Sequence, residues 1–161
     1  MRILHVIGRR NHGKTRLVVD LVHEMRRRGL HVGTFKHSSH HHPVDRPGKD
    51  SWLHRDAGAE PAAFSSTAGI GVYLDAGDED PIDRVLPLFT DVDFLLVEGF
   101  IDRPGSKIEV YRAAAGGAPL APEFPDVLAV VTDDETDPGV PVWPRSDVAA
   151  VVDRILAPTS S

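Results

Sequence analysis

With 161 residues, 41% of them hydrophobic, the chain is long enough for one domain around a sizeable core and gives no ground for a second. The absence of cysteine excludes disulfides and thiolate-held metals, and the longest apolar runs fall far short of the ~20 residues a membrane-spanning helix needs. The net charge of −6 is unevenly spread: positions 1–56 carry 12 Lys and Arg against 5 Asp and Glu, the remainder carries 6 against 19, and all nine histidines fall at or before His54. A basic amino-terminal part suits a phosphorylated ligand, while the acidic remainder argues against wrapping nucleic acid. Met1-Arg2 runs into an expected strand without the apolar stretch of a secretory signal, so a cytoplasmic protein with neither a membrane nor a nucleic-acid partner is expected.

Residues 2–7 (RILHVI) read as a short strand, and residues 14–28 place Leu17, Val18, Leu21, Val22 and Met25 on one helical face. Between them lies Gly8-Arg9-Arg10-Asn11-His12-Gly13-Lys14-Thr15, which fits the phosphate-loop pattern G-x-x-x-x-G-K-[ST] in the strand-to-helix context the motif requires. Gly8 and Gly13 let the backbone close around a phosphate so that successive N–H groups point at anionic oxygens, and the helix start adds its positive dipole end. Lys14 is expected to reach the β- and γ-phosphates as a catalytic point charge, and the Thr15 hydroxyl to ligate Mg²⁺. Arg26-Arg27-Arg28 reads as a solvated helix end capped by Gly29.

Residues 30–36 (LHVGTFK) read as a second strand, parallel to and paired with the first through a right-handed crossover. Residues 37–50 have no apolar periodicity and carry four histidines in six positions, His37, His40, His41 and His42. This long loop has three readings: solvated, metal-binding, or contacting a phosphorylated ligand, nucleotide or partner. Asp50 then caps a short helix through Ser51, Trp52, Leu53 and Arg55 that Gly58 ends, and residues 61–66 and 70–74 form two short strands around Thr67-Ala68-Gly69. Asp80 caps another helix with Pro81 at its first position, which Pro87 bends or ends.

Residues 93–97 (DFLLV) form a continuous apolar run of the kind found in buried parallel strands, and deliver Glu98-Gly99 at the carboxyl end. In that position Glu98 is expected to hold Mg²⁺ directly or through water, or to orient an attacking water. Residues 107–112 (KIEVYR) alternate as an exposed or interface strand would, and 113–125 read as an uninformative Gly/Pro/Ala-rich loop. Residues 127–131 form another buried strand before Thr132-Asp133-Asp134-Glu135, residues 140–143 a last short one, and Ser146 caps a helix bearing Val148, Val151, Val152 and Ile155. The N-K-x-D base-reading pattern of regulatory GTPases is absent; Asp133, with Asp134 next, is the best substitute for reading a nucleotide base, and the same residues read equally as an acidic strand-end turn.

This alternation predicts an α/β, P-loop NTPase-like fold with a largely parallel central sheet flanked by helices: one nucleotide-binding domain over 1–157 and a flexible tail at 158–161. Ligands of such sheets bind beyond the strands' carboxyl ends, where the phosphate loop, Lys36-His37, Glu98 and Asp133 all fall.

In order along the chain, the phosphate loop, Lys36-His37, Asp45-x-Pro47-Gly48-Lys49-Asp50-Ser51, Ala57-Gly58-Ala59 and Val97-Glu98-Gly99-Phe100 closely resemble the molybdopterin-guanine dinucleotide biosynthesis protein B (MobB) family. The matches run from Ile3 to about Arg112. In this chain His12 stands where Ser is usual before the loop's Gly-Lys, and Ser39 replaces a frequent His. The resemblance implies a homodimeric, GTP-binding accessory protein with weak GTPase activity, whose inserted loop and short strands serve dimerisation. Its partners would be a molybdenum cofactor guanylyltransferase and molybdopterin, with Mg²⁺ as cofactor. Substrate or partner contacts are expected at Lys36, His37, His40, Asp45, Gly48, Lys49 and Asp50. Two other classes compete: a small-molecule kinase with Asp45 or Glu98 as base, and a histidine-rich metallochaperone for Ni²⁺ or Zn²⁺.

Overall fold

The computed structural model describes residues 1–38, 45–75 and 77–158. The chain divides into two compact units, Met1–Ser38 with Phe89–Ser161, and Ser39–Leu88. His40, His41 and His42 and most of the expected tail lie outside the described residues.

The first unit is built on a six-stranded sheet in the order β2-β5-β1-β6-β7-β8: β1 Arg2–Ile7, β2 Val32–Lys36, β5 Phe94–Glu98, β6 Lys107–Val110, β7 Val127–Val131 and β8 Val142–Trp143. Every pairing in it is parallel, as expected. One expectation fails: β1 and β2 are parallel but not neighbours, because β5 lies between them. The five residues of β5 are all buried, so the most continuously apolar strand takes the place where both edges are paired.

Helix α1 (Lys14–Arg27) lays Leu17, Val18, Leu21 and Met25 into a core that includes Leu4 and Val6 of β1, Leu96 of β5, Ile108 and Val110 of β6, and Val151, Val152 and Ile155 of α4 (Val148–Leu156). At roughly 1.5–3 kcal/mol per fully buried aliphatic side chain, this face is the main source of the unit's stability. A second cluster holds Ile7, Ala121, Val127 and Val130. Between the two helices, Arg28 pairs with Asp153 at 2.5 Å. The α4 cap is Asp147, which accepts from the Ala150 N–H, and not Ser146, whose hydroxyl and N–H both donate to Asp133.

Strand β6 corrects the expectation of an exposed or interface strand, since all four of its residues are buried between β1 and β7. Its polar alternate positions are satisfied internally. Lys107 donates to the Arg103 carbonyl at 2.7 Å and pairs with Asp126, and the Glu109 carboxylate accepts from the N–H groups of Leu120 and Ala121 at 2.8 Å. Alternation signals two different environments, and here both are inside the protein.

In the second unit, α2 (Asp50–Asp56) begins one residue earlier than expected, with Asp50 inside its first turn and Lys49 at the cap position. Strands β3 (Ala62–Ser66) and β4 (Gly69–Tyr73) pair antiparallel as a hairpin, with Phe64 opposite Gly71 and Ser65 opposite Ile70. The Asp80 carboxylate accepts from Ile82 N–H at 2.8 Å and Pro81 opens α3 (Pro81–Val85), which gives way at Leu86 to a 3₁₀ turn containing Pro87.

Candidate functional site

The loop from Gly8 to Thr15 leaves the carboxyl end of β1 and enters α1. Gly8 has φ 147°, and a Cβ placed there would come within 2.5 Å of the Val110 carbonyl oxygen, so only glycine lets the loop leave β1 this close to β6. Asn11 at φ 67° and Gly13 at φ 99° complete the turn, the latter as the left-handed residue before α1. Sequence reasoning singled out the glycines; Asn11 is the non-glycine type that tolerates this region best.

Lys14 lies across the loop, its ammonium donating to the carbonyls of Gly8 at 2.8 Å and Arg9 at 2.9 Å. Burial lowers its pKa from the usual lysine value, the nearby Glu98 opposes that, and Lys36 adds to it. The Thr15 hydroxyl donates to Glu98 Oε1 at 2.7 Å, and Lys36 Nζ lies 3.2 Å from the same oxygen. Strand register explains the second contact, because Lys36 on β2 and Glu98 on β5 are direct partners in the parallel ladder. Loop, helix start and two strand ends thus meet at one carboxylate oxygen. Beside it, a hollow of about 420 Å³ between α1 and β2 is walled by Val18, Val19, Val22 and Phe35.

Three further residues shape this edge. His37, following β2, stacks on Phe100 with ring centroids 4.1 Å apart and planes 13° from parallel. Gly99 and Phe100 both have positive φ, 87° and 58°, so the chain turns sharply after Glu98 and returns an aromatic ring to the β2 end.

Sequence reasoning placed His12 in the phosphate loop but missed what its side chain does. It is 1% exposed, its Nδ1 accepts from the Arg112 N–H at 3.3 Å, and its Nε2 lies 3.0 Å from the Gly116 carbonyl. A backbone N–H can only donate, so Nδ1 is the unprotonated nitrogen and Nε2–H donates to Gly116. With both ring nitrogens engaged, His12 presents its backbone to a ligand and uses its side chain to fasten the loop to the segment after β6. Arg9 adds a second tie, Nε donating to the Ala118 carbonyl at 2.9 Å, whereas Arg10 is exposed. The available signal was the substitution itself, a histidine where a small hydroxyl residue is usual.

Asp133 follows β7, and its Oδ1 accepts from both the N–H and the hydroxyl of Ser146 at 2.9 Å. The Ser146 N–H bond is the leading cause that holds its pKa below the ordinary aspartate value. Asp134 Oδ2 accepts from the Ala113 N–H at 2.7 Å. Asp133 therefore stands fixed and ionised at a strand end, while Asp134 is committed to the loop.

In the second unit, Asp45 Oδ1 accepts from Arg46 N–H at 2.7 Å and from the Ser51 hydroxyl at 3.3 Å, and its Oδ2 is buried without a partner among the described residues. Gly48 has φ 82°, and Lys49 and Asp50 lead exposed into α2. Among the described residues no group of three or more His, Asp or Glu is placed to hold a metal ion, and no helix is long and apolar enough to cross a membrane.

The family model described as "Molybdopterin guanine dinucleotide synthesis protein B" (MobB) matches residues 3–133. The molybdopterin-guanine dinucleotide biosynthesis adapter protein of Escherichia coli strain K12 is 32% identical over 149 residues, covering 89% of this chain and 85% of its own. Its counterpart from Haemophilus influenzae is 34% identical over 134 residues, covering 81% and 74%. A solved structure of molybdopterin-guanine biosynthesis protein B superposes with a TM-score of 0.74 at 25% identity, over 96% of this chain and 97% of that one. The Bacillus subtilis MobB structure gives 0.72 at 22% identity, over 96% and 98%.

Proposed function

We propose, since the chain belongs to the MobB family, that it is an adapter of molybdopterin-guanine dinucleotide biosynthesis: it binds Mg·GTP, hydrolyses it slowly, and works beside the guanylyltransferase that joins the nucleotide to molybdopterin. The observation that carries this reading is the meeting of Thr15, Glu98 and Lys36 at the end of a phosphate loop with Lys14 across it.

The residues suit a bound nucleoside triphosphate. The Gly8 cradle leaves no room for a side chain, and the carbonyls now receiving Lys14 compete only weakly with a charged phosphate for an ammonium donor. Backbone N–H groups of residues 8–15 and the start of α1 would face the phosphates, with Arg9 and Arg10 on the loop's outer side. Asp133, ionised at the end of β7, would accept from the guanine edge. The Mg²⁺ requirement fits the donor set, two hard oxygen ligands already in contact at 2.7 Å. Bound there, Mg²⁺ would neutralise charge between the β- and γ-phosphates. Thr15 and Glu98 would hold it, Lys14 would contact the phosphates, and Lys36, 3.2 Å from Glu98 Oε1, would orient that carboxylate.

Partner or pterin contact falls to Lys36, His37, His40, Asp45, Gly48, Lys49 and Asp50. A homodimer is also part of this reading, formed through the β3–β4 hairpin. Phe64, Ile70 and Val72 on it are 55%, 77% and 46% exposed, and a two-stranded hairpin with open edges gains most from pairing with a second copy. A cytoplasmic location follows from the same role.

The test is reconstitution: Mg·GTP, molybdopterin and a guanylyltransferase, with and without this protein, following dinucleotide, GDP and any phosphorylated small molecule. Greater dinucleotide formation with slow GDP release supports the adapter. No effect on dinucleotide formation, or rapid transfer of the γ-phosphate to a small acceptor, overturns it.

A further inference from the structure

A groove of about 570 Å³, within the size range of small-ligand sites, lies wholly inside the second unit, between α2 and the end of β4. Trp52, Arg55 and Asp56 approach it from one face of α2, at the three- and four-residue spacing that aligns side chains. Tyr73 faces them from β4, and the Arg55 guanidinium already lies over the Tyr73 ring, 5.1 Å from its centroid. Gly58 at φ 96° ends α2 and turns the chain along the groove's edge toward Glu60.

These groups form a recognisable surface for one ligand chemistry. A guanidinium pinned on an aromatic ring offers its other face as a flat, cationic stacking platform, and Trp52 adds a second. Glu60 Oε1 accepts from Arg84 and from the Asp75 N–H, and Asp75 Oδ1 from the Gly77 N–H, so each of these carboxylates has one oxygen engaged. Asp56, in contrast, has no side-chain partner among the described residues and stands at the groove as a free two-oxygen acceptor. A stacking ring whose edge carries two adjacent N–H donors would match it. A 2-amino-4-oxo pyrimidine edge has that pattern, with a ring N–H beside an exocyclic amine, and pterins and guanine share it. Adenine presents no such pair to a carboxylate.

We propose that this groove binds the 2-amino-4-oxo ring of a pterin or guanine, stacked on Arg55 and Trp52 with its donor edge on Asp56. The proposal rests on the adapter reading for its choice of ligand and adds to it a ring site separate from the phosphate loop. It also gives a use to the Ser51-Trp52 and Ala57-Gly58 stretch that the phosphate loop does not explain.

Calorimetric titration of the full chain with 6-hydroxymethylpterin, guanosine and adenosine tests this. None of the three carries a phosphate, so the Lys14 loop contributes little. Binding of the pterin or guanosine but not adenosine is expected, weakened about tenfold or more by Asp56→Asn and by Trp52→Phe, and unchanged by Lys14→Ala. Tighter binding of the pterin assigns the groove to the pterin, and tighter binding of guanosine assigns it to guanine. No binding at millimolar ligand, equal binding of adenosine, indifference to Asp56→Asn, or loss in Lys14→Ala would overturn the proposal. Circular dichroism of each variant confirms that the fold is kept. A parallel Mg·GTP titration reads the phosphate loop independently, so failure of the groove and failure of the adapter reading are told apart.

Discussion

The Thr15 hydroxyl donates to Glu98 Oε1 at 2.7 Å across 83 positions of sequence, and Lys36 approaches that oxygen from the neighbouring strand. The contact joins the last residue of the phosphate loop to the last residue of the fully buried strand β5. Glu98→Gln keeps the shape and removes the charge. In this variant the gain in GTP affinity on adding Mg²⁺ should shrink about tenfold, while affinity for metal-free GTP holds or rises because a negative charge beside the phosphates is gone. Titrations in Mg²⁺ and in chelator measure both, and an unchanged Mg²⁺ effect would remove Glu98 from the metal site.

The Gly8 position sets the loop's approach to β6. Gly8→Ala should introduce strain on the order of 1–3 kcal/mol, since the new methyl meets the Val110 carbonyl and the backbone stays at φ 147°. The expected result is a lower Tm together with weaker nucleotide binding. A variant as stable and as tightly binding as the parent would mean that the loop can re-form elsewhere.

Much of this edge was legible in the sequence. The loop motif, the apolar run before Glu98 and the Lys36-His37 pair each signalled a strand end, and parallel strands bring their carboxyl ends to one side. Three things were not legible. Neighbour relations in a parallel sheet depend on crossovers, so β5 entering between β1 and β2 left no local trace. In β6, Lys107 and Glu109 mimic an exposed face because their partners, Asp126 and the N–H groups of Leu120 and Ala121, come from loops 11 or more residues away. The His12 ring finds its acceptor 104 residues on, and no spacing rule reaches that far.

Glu24 supplies a pH-dependent element of stability. Side-chain hydrogen bonds from Arg27 and then Arg28 lower its pKa from 4.5 to about 2. Because the folded-state value is depressed, its contribution is fully present above about pH 4.5 and fades as the pH falls toward 2. Glu24→Gln should therefore lower Tm at pH 7 and match the parent near pH 2. Thermal melts across that range check it, and a gap that persists at pH 2 would place the effect in packing and not in charge.

The hairpin makes a separate prediction. Ile70 is 77% exposed, so Ile70→Glu should leave the isolated fold intact and shift the proposed dimer to monomer in sedimentation velocity. A dimer of unaltered strength would move the interface off this hairpin.

The account depends most on Lys14 and the loop it spans. Purified protein titrated with Mg·GTP should give a saturable, exothermic isotherm with one nucleotide per chain, and turnover should stay slow, at roughly 10⁻⁴ to 10⁻² s⁻¹, as in unassisted GTPases. Lys14→Ala removes the one ammonium placed across the loop and should abolish measurable binding with an unchanged circular dichroism spectrum. An isotherm for Lys14→Ala that overlays the parent's would contradict the assignment of this loop as the nucleotide site.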